Sequence, residues 1–119
     1  MNFFTSTLRA AQTWRAVLAL LLVVVSYLAL TPSPPHGVDL GWDKLNHTAA
    51  FAALAFAAWL GLPAPPYNQR LLLLSLLAYG GAIEILQLWV PGRSCEWGDL
   101  AADAVGITVG ACLAALAKR

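Results

Sequence analysis

Charge is what this 119-residue sequence has least of. Seven Lys and Arg and six Asp and Glu make up 11% of the chain, against 60% hydrophobic residues and a mean hydropathy of +0.69. A soluble core of this size could not hide so much apolar surface, so the composition excludes an ordinary water-soluble domain. The net charge of +1 gives no basic surface with which to hold nucleic acid. Two cysteines make no disulfide framework. If Cys95 and Cys112 share one helix they lie roughly 25 Å apart at the α-helical rise, far beyond bridging distance. There is no repeat of 20–50 residues, no low-complexity tract beyond Ala- and Leu-rich runs, and no nucleophile motif. The length allows one domain, covering residues 1–119.

What remains is an all-α, polytopic membrane protein: four transmembrane helices in a bundle. The first apolar run, Ala16 to Leu30, ends at Thr31-Pro-Ser-Pro-Pro35, where proline stops a helix. A cleaved signal peptide is the alternative for this basic-flanked run. No Ala-x-Ala site follows it, which favours a retained span at about 16–30. The second span, about 44–62, starts in Asp43-Lys-Leu-Asn-His47 and is rich in small residues. Its Ala49, Ala53 and Ala57 recur at a spacing that lets helix backbones approach closely. The third, about 70–90, opens with six leucines in seven positions and changes character at Gly80-Gly81. Pro91-Gly92 ends it. The fourth, about 97–117, starts near Ser94, a suitable N-cap with Glu96 in the first turn.

With an even number of spans both termini share a side. That side holds Arg9, Arg15, Arg70, Lys118 and Arg119, and the other only Lys44 and Arg93. The positive-inside rule then puts the termini in the cytoplasm. Trp14, Trp42, Trp59, Tyr67, Trp89 and Trp97 fall near predicted span ends, as an interfacial aromatic belt requires.

Against this apolar background the segment 84–103 stands out, because it holds four of the six acids: Glu84, Glu96, Asp99 and Asp103. Ionisable groups within spans are costly and mark functional sites by default. Helical spacing predicts three polar pairs: Asp43 with His47 on the second span, Glu84 with Gln87 on the third, and Asp99 with Asp103 on the fourth. Each pair is predicted one to two turns from the outer end of its span, so all three share a depth. The prediction is an outward-facing polar pocket. The face of Asp99 and Asp103 continues as Gly106 and Gly110, a G-x-x-x-G spacing for tight helix packing.

Asp43-Lys-Leu-Asn-His47 with Phe51, Glu84-x-x-Gln87, Pro91-Gly-Arg93 and Asp99-x-x-x-Asp103-x-x-Gly106-x-x-x-Gly110 resemble the VanZ-like family of small membrane proteins. The resemblance runs from about Asp43 to Gly110. The family's usual pattern has asparagine where this chain has Asp103. The resemblance implies an integral protein of the bacterial cytoplasmic (inner) membrane, with one family member linked to glycopeptide (teicoplanin) resistance. It implies no settled biochemical activity.

Each polar residue carries two readings. Asp43 and His47 are head-group or metal ligands, or else an interfacial helix start in which Asp43 suits the helix dipole. Glu84 is functional, or its pairing with Arg93, Lys44 or His47 only holds helices together. Gln87 reads as a helix–helix hydrogen bonder. Arg93 is a fork for phosphate or carboxylate, or a loop residue paired with Asp99 or Glu96. Glu84, Asp99 and Asp103 could hold a divalent cation, being hard oxygen ligands, or form a structural polar network. Cys95 reads as a loop thiol and His36 as solvent-exposed.

Three functions follow. The first is a cell-envelope protein whose pocket (Asp43, Lys44, His47, Glu84, Gln87, Arg93, Asp99, Asp103) binds the polar head of a lipid or lipid-linked precursor in the bilayer. The second is a membrane enzyme acting on a lipid-linked phosphate or acyl group, with His47, Glu84 and Asp103 as acid/base residues. The third is a structural four-helix unit whose polar cluster fixes packing.

Overall fold

The computed structural model describes residues 3–32, 43–64, 66–91 and 96–117. Its elements are α1 (Phe3–Leu30), α2 (Asp43–Gly61), α3 (Gln69–Leu86), a single 3-10 turn (Gln87–Trp89) and α4 (Trp97–Ala117), with no strand among the described residues. Three segments are long and apolar enough to cross a membrane: Ala10–Leu30, Gln69–Trp89 and Trp97–Ala117. Helix α2 has 19 residues, about 28 Å at the α-helical rise, but its first turns carry Asp43, Lys44, Asn46 and His47.

Helix α1 begins well before the predicted span. Residues 3–15 contain neither Pro nor Gly and include Leu8, Ala10, Ala11 and Gln12, all good helix formers, so the helix extends back to Phe3. Its 28 residues extend about 42 Å, more than the roughly 30 Å hydrocarbon core, so one end projects beyond it. Helix α3 is started by Asn68, whose side chain accepts from Leu71 N at 3.2 Å. It tightens at its far end, where Val90 N donates to Gln87 O. Pro91 explains this: it has no N–H to offer the Gln87 carbonyl, so the last turn closes on residue 90 instead.

Helix α2 is the middle of the bundle. It packs most extensively on α4, then on α1, and less on α3. Phe51, Leu54, Ala55 and Ala58 of α2 form the core with Leu76 and Ile107. The approach of α4 to α2 rests on glycine. A Cβ on Gly106 would lie 2.3 Å from the Thr48 carbonyl oxygen, and one on Gly110 would lie 2.1 Å from that of Ala52. The small-residue stripe facing α4 is therefore Thr48–Ala52. Ala49 and Ala53, which the alanine spacing had pointed to instead, are exposed, whereas Ala57 is buried. The polar contacts of α2 with α4, described below, choose between the two stripes.

Helix α1 is tied to both neighbours. Trp14 packs edge-on against Phe56, with ring centroids 5.2 Å apart. Gly61 leaves room for the backbone of Trp14 and Arg15. Tyr79 of α3 shares a hydrogen bond with Ser26 and donates to Leu22 O. Hydroxyls elsewhere turn back on their own helices, Ser75 on Leu71 O and Thr108 on Ala104 O. That satisfies them without a solvent partner.

Candidate functional site

Three helices bring their polar side chains to one end of the bundle. From α2 come Lys44 and His47, three residues apart and so on one face. From α4 come Asp99 and Asp103, and from α3 comes Glu84. Asp99, in the first turn of α4, sits where a carboxylate is favoured by the helix N-terminus.

His47 is the centre. Its Nδ1 lies 2.9 Å from Asp103 Oδ1, and its Nε2 lies 3.5 Å from Asp99 Oδ2. Lys44 Nζ donates to Asp99 Oδ1 at 2.9 Å and to Glu96 Oε2 at 3.3 Å. Gly98 leaves space for the Lys44 stem, since a Cβ there would lie 3.0 Å from Lys44 Cε. Thr48 bridges the same helices: its hydroxyl lies 2.8 Å from Lys44 O and 3.3 Å from Ala102 O. Glu84 closes the cluster from α3, with its Oε2 accepting from the backbone N–H of Glu96 at 2.9 Å.

Burial grades across the cluster. Glu84 and Asp103 are fully buried and Asp99 nearly so, whereas the Lys44 and Glu96 side chains are 33% and 51% exposed. The acids are thus sealed at the bottom and open at the Lys44–Glu96 edge. Asp103 is seated by the glycine of α3: a Cβ on Gly80 would lie 2.5 Å from Asp103 Oδ2 and 3.2 Å from the Phe51 ring. Glycine is needed there to let the carboxylate lie against the α3 backbone. Its neighbour Gly81 meets nothing within 4 Å, so the two glycines are not equivalent.

Two carboxylate oxygens in the cluster, Glu84 Oε1 and Asp103 Oδ2, are buried without a hydrogen-bond partner among the described residues. An unpaired buried polar atom costs on the order of 1–3 kcal/mol, more if charged, so such atoms call for an explanation. One donor atom each from His47, Glu84 and Asp99 lie within 4.8 Å of one another, close enough for these residues to hold a metal ion.

Of the residues expected at the site, Lys44, His47, Glu84, Asp99 and Asp103 come together. Gln87 does not join them. It is buried and its Nε2 donates to Ala29 O of α1 at 2.8 Å, on the other flank of α3. Asp43 opens α2, but its side chain lies outside the described residues, as does the whole of Arg93. Gly106 and Gly110 lie at the α2–α4 contact. The cation set expected from sequence, Glu84, Asp99 and Asp103, differs from the geometric one: His47 takes the place of Asp103, which is bonded to the far side of its ring. Sequence reasoning missed Gly80 and Glu96. The Gly80-Gly81 pair inside an apolar helix was the available signal for the first. For the second the signal was its place among the four acids of 84–103, although the bond from its backbone N–H to Glu84 has no local signature.

The VanZ/LLP1 family model matches residues 2–118 of the chain. No curated protein and no solved structure matches it.

Proposed function

The chain belongs to the VanZ/LLP1 family, and on that premise we propose a small integral protein of the cell envelope, linked to glycopeptide-type resistance, whose polar cluster receives the head group of a lipid or lipid-linked precursor. In this reading α2 is a fourth span, the termini are cytoplasmic, and the cluster faces outward from the cytoplasmic membrane. The five-to-two asymmetry of basic residues supports that orientation.

The observation that carries the proposal is Glu84. Its side chain is fully buried, and one carboxylate oxygen has no partner among the described residues. The described cations of the cluster are already engaged, Lys44 with Asp99 and Glu96, and His47 with Asp99 and Asp103. In this reading the group that completes it is a donor or a cation from the ligand: a hydroxyl, an ammonium or a metal ion. A lipid-linked sugar or an amine-bearing head group supplies such donors. In this reading Arg93 faces the anionic part of that ligand.

Gentle extraction of the full chain followed by native mass spectrometry tests this. The wild type carries a lipid adduct, and the Glu84→Gln/Asp103→Asn double variant loses it at an unchanged membrane level. A wild type free of lipid adduct in several mild detergents would refute the proposal. The second reading, an enzyme acting on a lipid-linked phosphate or acyl group, draws on the His47–Asp103 pair, the arrangement that orients a general base. Turnover of such a substrate by purified wild type, absent in His47→Gln, would establish it.

A further inference from the structure

We propose that the cluster is a divalent transition-metal site, with His47 Nε2, Glu84 Oε1 and Asp99 Oδ2 as ligands and Asp103 as the residue that positions His47. The inference rests on the reading that this cluster receives a ligand, and it names the cation.

Each ligand residue has one polar atom held from outside the trio, which leaves the other available to a shared ion. His47 has its Nδ1 on Asp103 Oδ1. Asp99 has its Oδ1 on Lys44 Nζ, which leaves Oδ2 turned to His47 Nε2 at 3.5 Å. Glu84 has its Oε2 on the backbone N–H of Glu96, which leaves Oε1 without a partner among the described residues. Three side chains from three helices are thus oriented by their outer atoms.

The distances suit a small contraction. Donors within 4.8 Å of one another compare with the spacing of about 3.4 Å expected of two donors that each lie about 2.1 Å from one tetrahedral ion. Side-chain movement of roughly 1 Å closes the difference. A carboxylate behind the ring nitrogen that does not bind metal is the usual means of fixing the tautomer and raising the basicity of a ligating imidazole.

The donor set also selects the ion. One imidazole and two carboxylates favour zinc, manganese or iron over magnesium and calcium, which take oxygen alone. A neutral imidazole with two carboxylates carries two negative charges, which a divalent cation balances. Three protein ligands leave at least one coordination position open, as in metal sites that bind an exogenous group. That position would lie towards the Lys44–Glu96 edge, where the cluster is exposed.

The test uses the full chain in detergent, stripped with a chelator and titrated separately with Zn2+ and Mn2+, with bound metal counted by elemental analysis. The expected result is one ion per chain in the wild type and none in Glu84→Gln or Asp99→Asn. Asp103→Asn is expected to keep the stoichiometry and lose affinity about 10–100-fold. X-ray absorption on the loaded wild type requires no variant to fold. It should show imidazole nitrogen and oxygen ligands at about 2.0–2.2 Å. A wild type that binds neither metal stoichiometrically, a ligand sphere without imidazole, or Asp103→Asn affinity equal to that of the wild type would each overturn the proposal. Native mass spectrometry separates this failure from that of the head-group reading. A lipid adduct without metal overturns the metal site alone, and a metal adduct without lipid overturns the head-group site alone.

Discussion

Alanine at position 110 probes how the bundle is held together. The Cβ it adds would lie 2.1 Å from the Ala52 carbonyl oxygen, 2.8 Å from its carbon and 2.9 Å from its Cα. These are backbone atoms of α2, so no side-chain rotation relieves the clash. Ordinary contact needs about 3.5 Å, so α2 and α4 must separate by roughly 1 Å or more. Two kinds of loss follow. Overpacking of this type costs about 1–3 kcal/mol. The opened interface also stretches the Thr48–Ala102 O bond, already 3.3 Å, and the His47–Asp103 contact. Hydrogen bonds between membrane helices are worth on average about 0.6 kcal/mol each. The expected destabilisation is therefore about 2–4 kcal/mol.

Gly81→Ala is the matched control. A Cβ there meets nothing within 4 Å, so the same chemical change should be neutral or stabilising by up to about 1 kcal/mol through helix propensity. Reversible unfolding in mixed micelles, followed by far-UV circular dichroism over a series of SDS fractions, measures both. The reasoning is refuted if Gly110→Ala unfolds within roughly 0.5 kcal/mol of the wild type, or if Gly81→Ala is destabilised as much.

Other outcomes follow from the same contacts. Tyr79→Phe removes the hydrogen bonds to Ser26 and Leu22 O, and should cost about 0.5–1.5 kcal/mol in the same unfolding assay. Lys44→Met, which keeps the stem against Gly98 and removes the charge, should lower stability only slightly in the same assay, since the lysine is partly exposed. Salt should weaken that difference. In intact cells a membrane-impermeant maleimide should label Cys95 in a Cys112→Ala background. Labelling only after permeabilisation would invert the proposed topology. Cys112, exposed on the apolar face of α4, should resist the impermeant reagent and react with a permeant one.

Much of this was legible in the chain because a membrane protein has little polarity to spend. Glu84, Asp99, Asp103 and His47 stood out against apolar runs, and helical spacing with a common depth was enough to bring them together. Gln87 is the helix–helix hydrogen bonder that the sequence predicts, but not a member of the cluster: three residues on an α-helix still leaves it about 60° round from Glu84, enough to reach α1 instead of α4. The small-residue stripe of α2 was misplaced for a different reason. The alanine spacing pointed to Ala49 and Ala53, but α4 packs on Thr48 and Ala52, a choice that depends on long-range contacts such as His47–Asp103. The seat of Asp103 on Gly80 and the backbone N–H that Glu96 gives to Glu84 are tertiary facts without a local signature. The start of α1 lies ahead of the apolar run because the residues before Ala16 are good helix formers, which hydropathy does not register.

An experimental density map of the full chain in lipid shows whether the cluster between α2, α3 and α4 holds a ligand. Non-protein density bounded by His47 Nε2, Glu84 Oε1 and Asp99 Oδ2 is the expected result. A well-resolved map in which these atoms contact only one another or other protein side chains, with nothing between them, would contradict it.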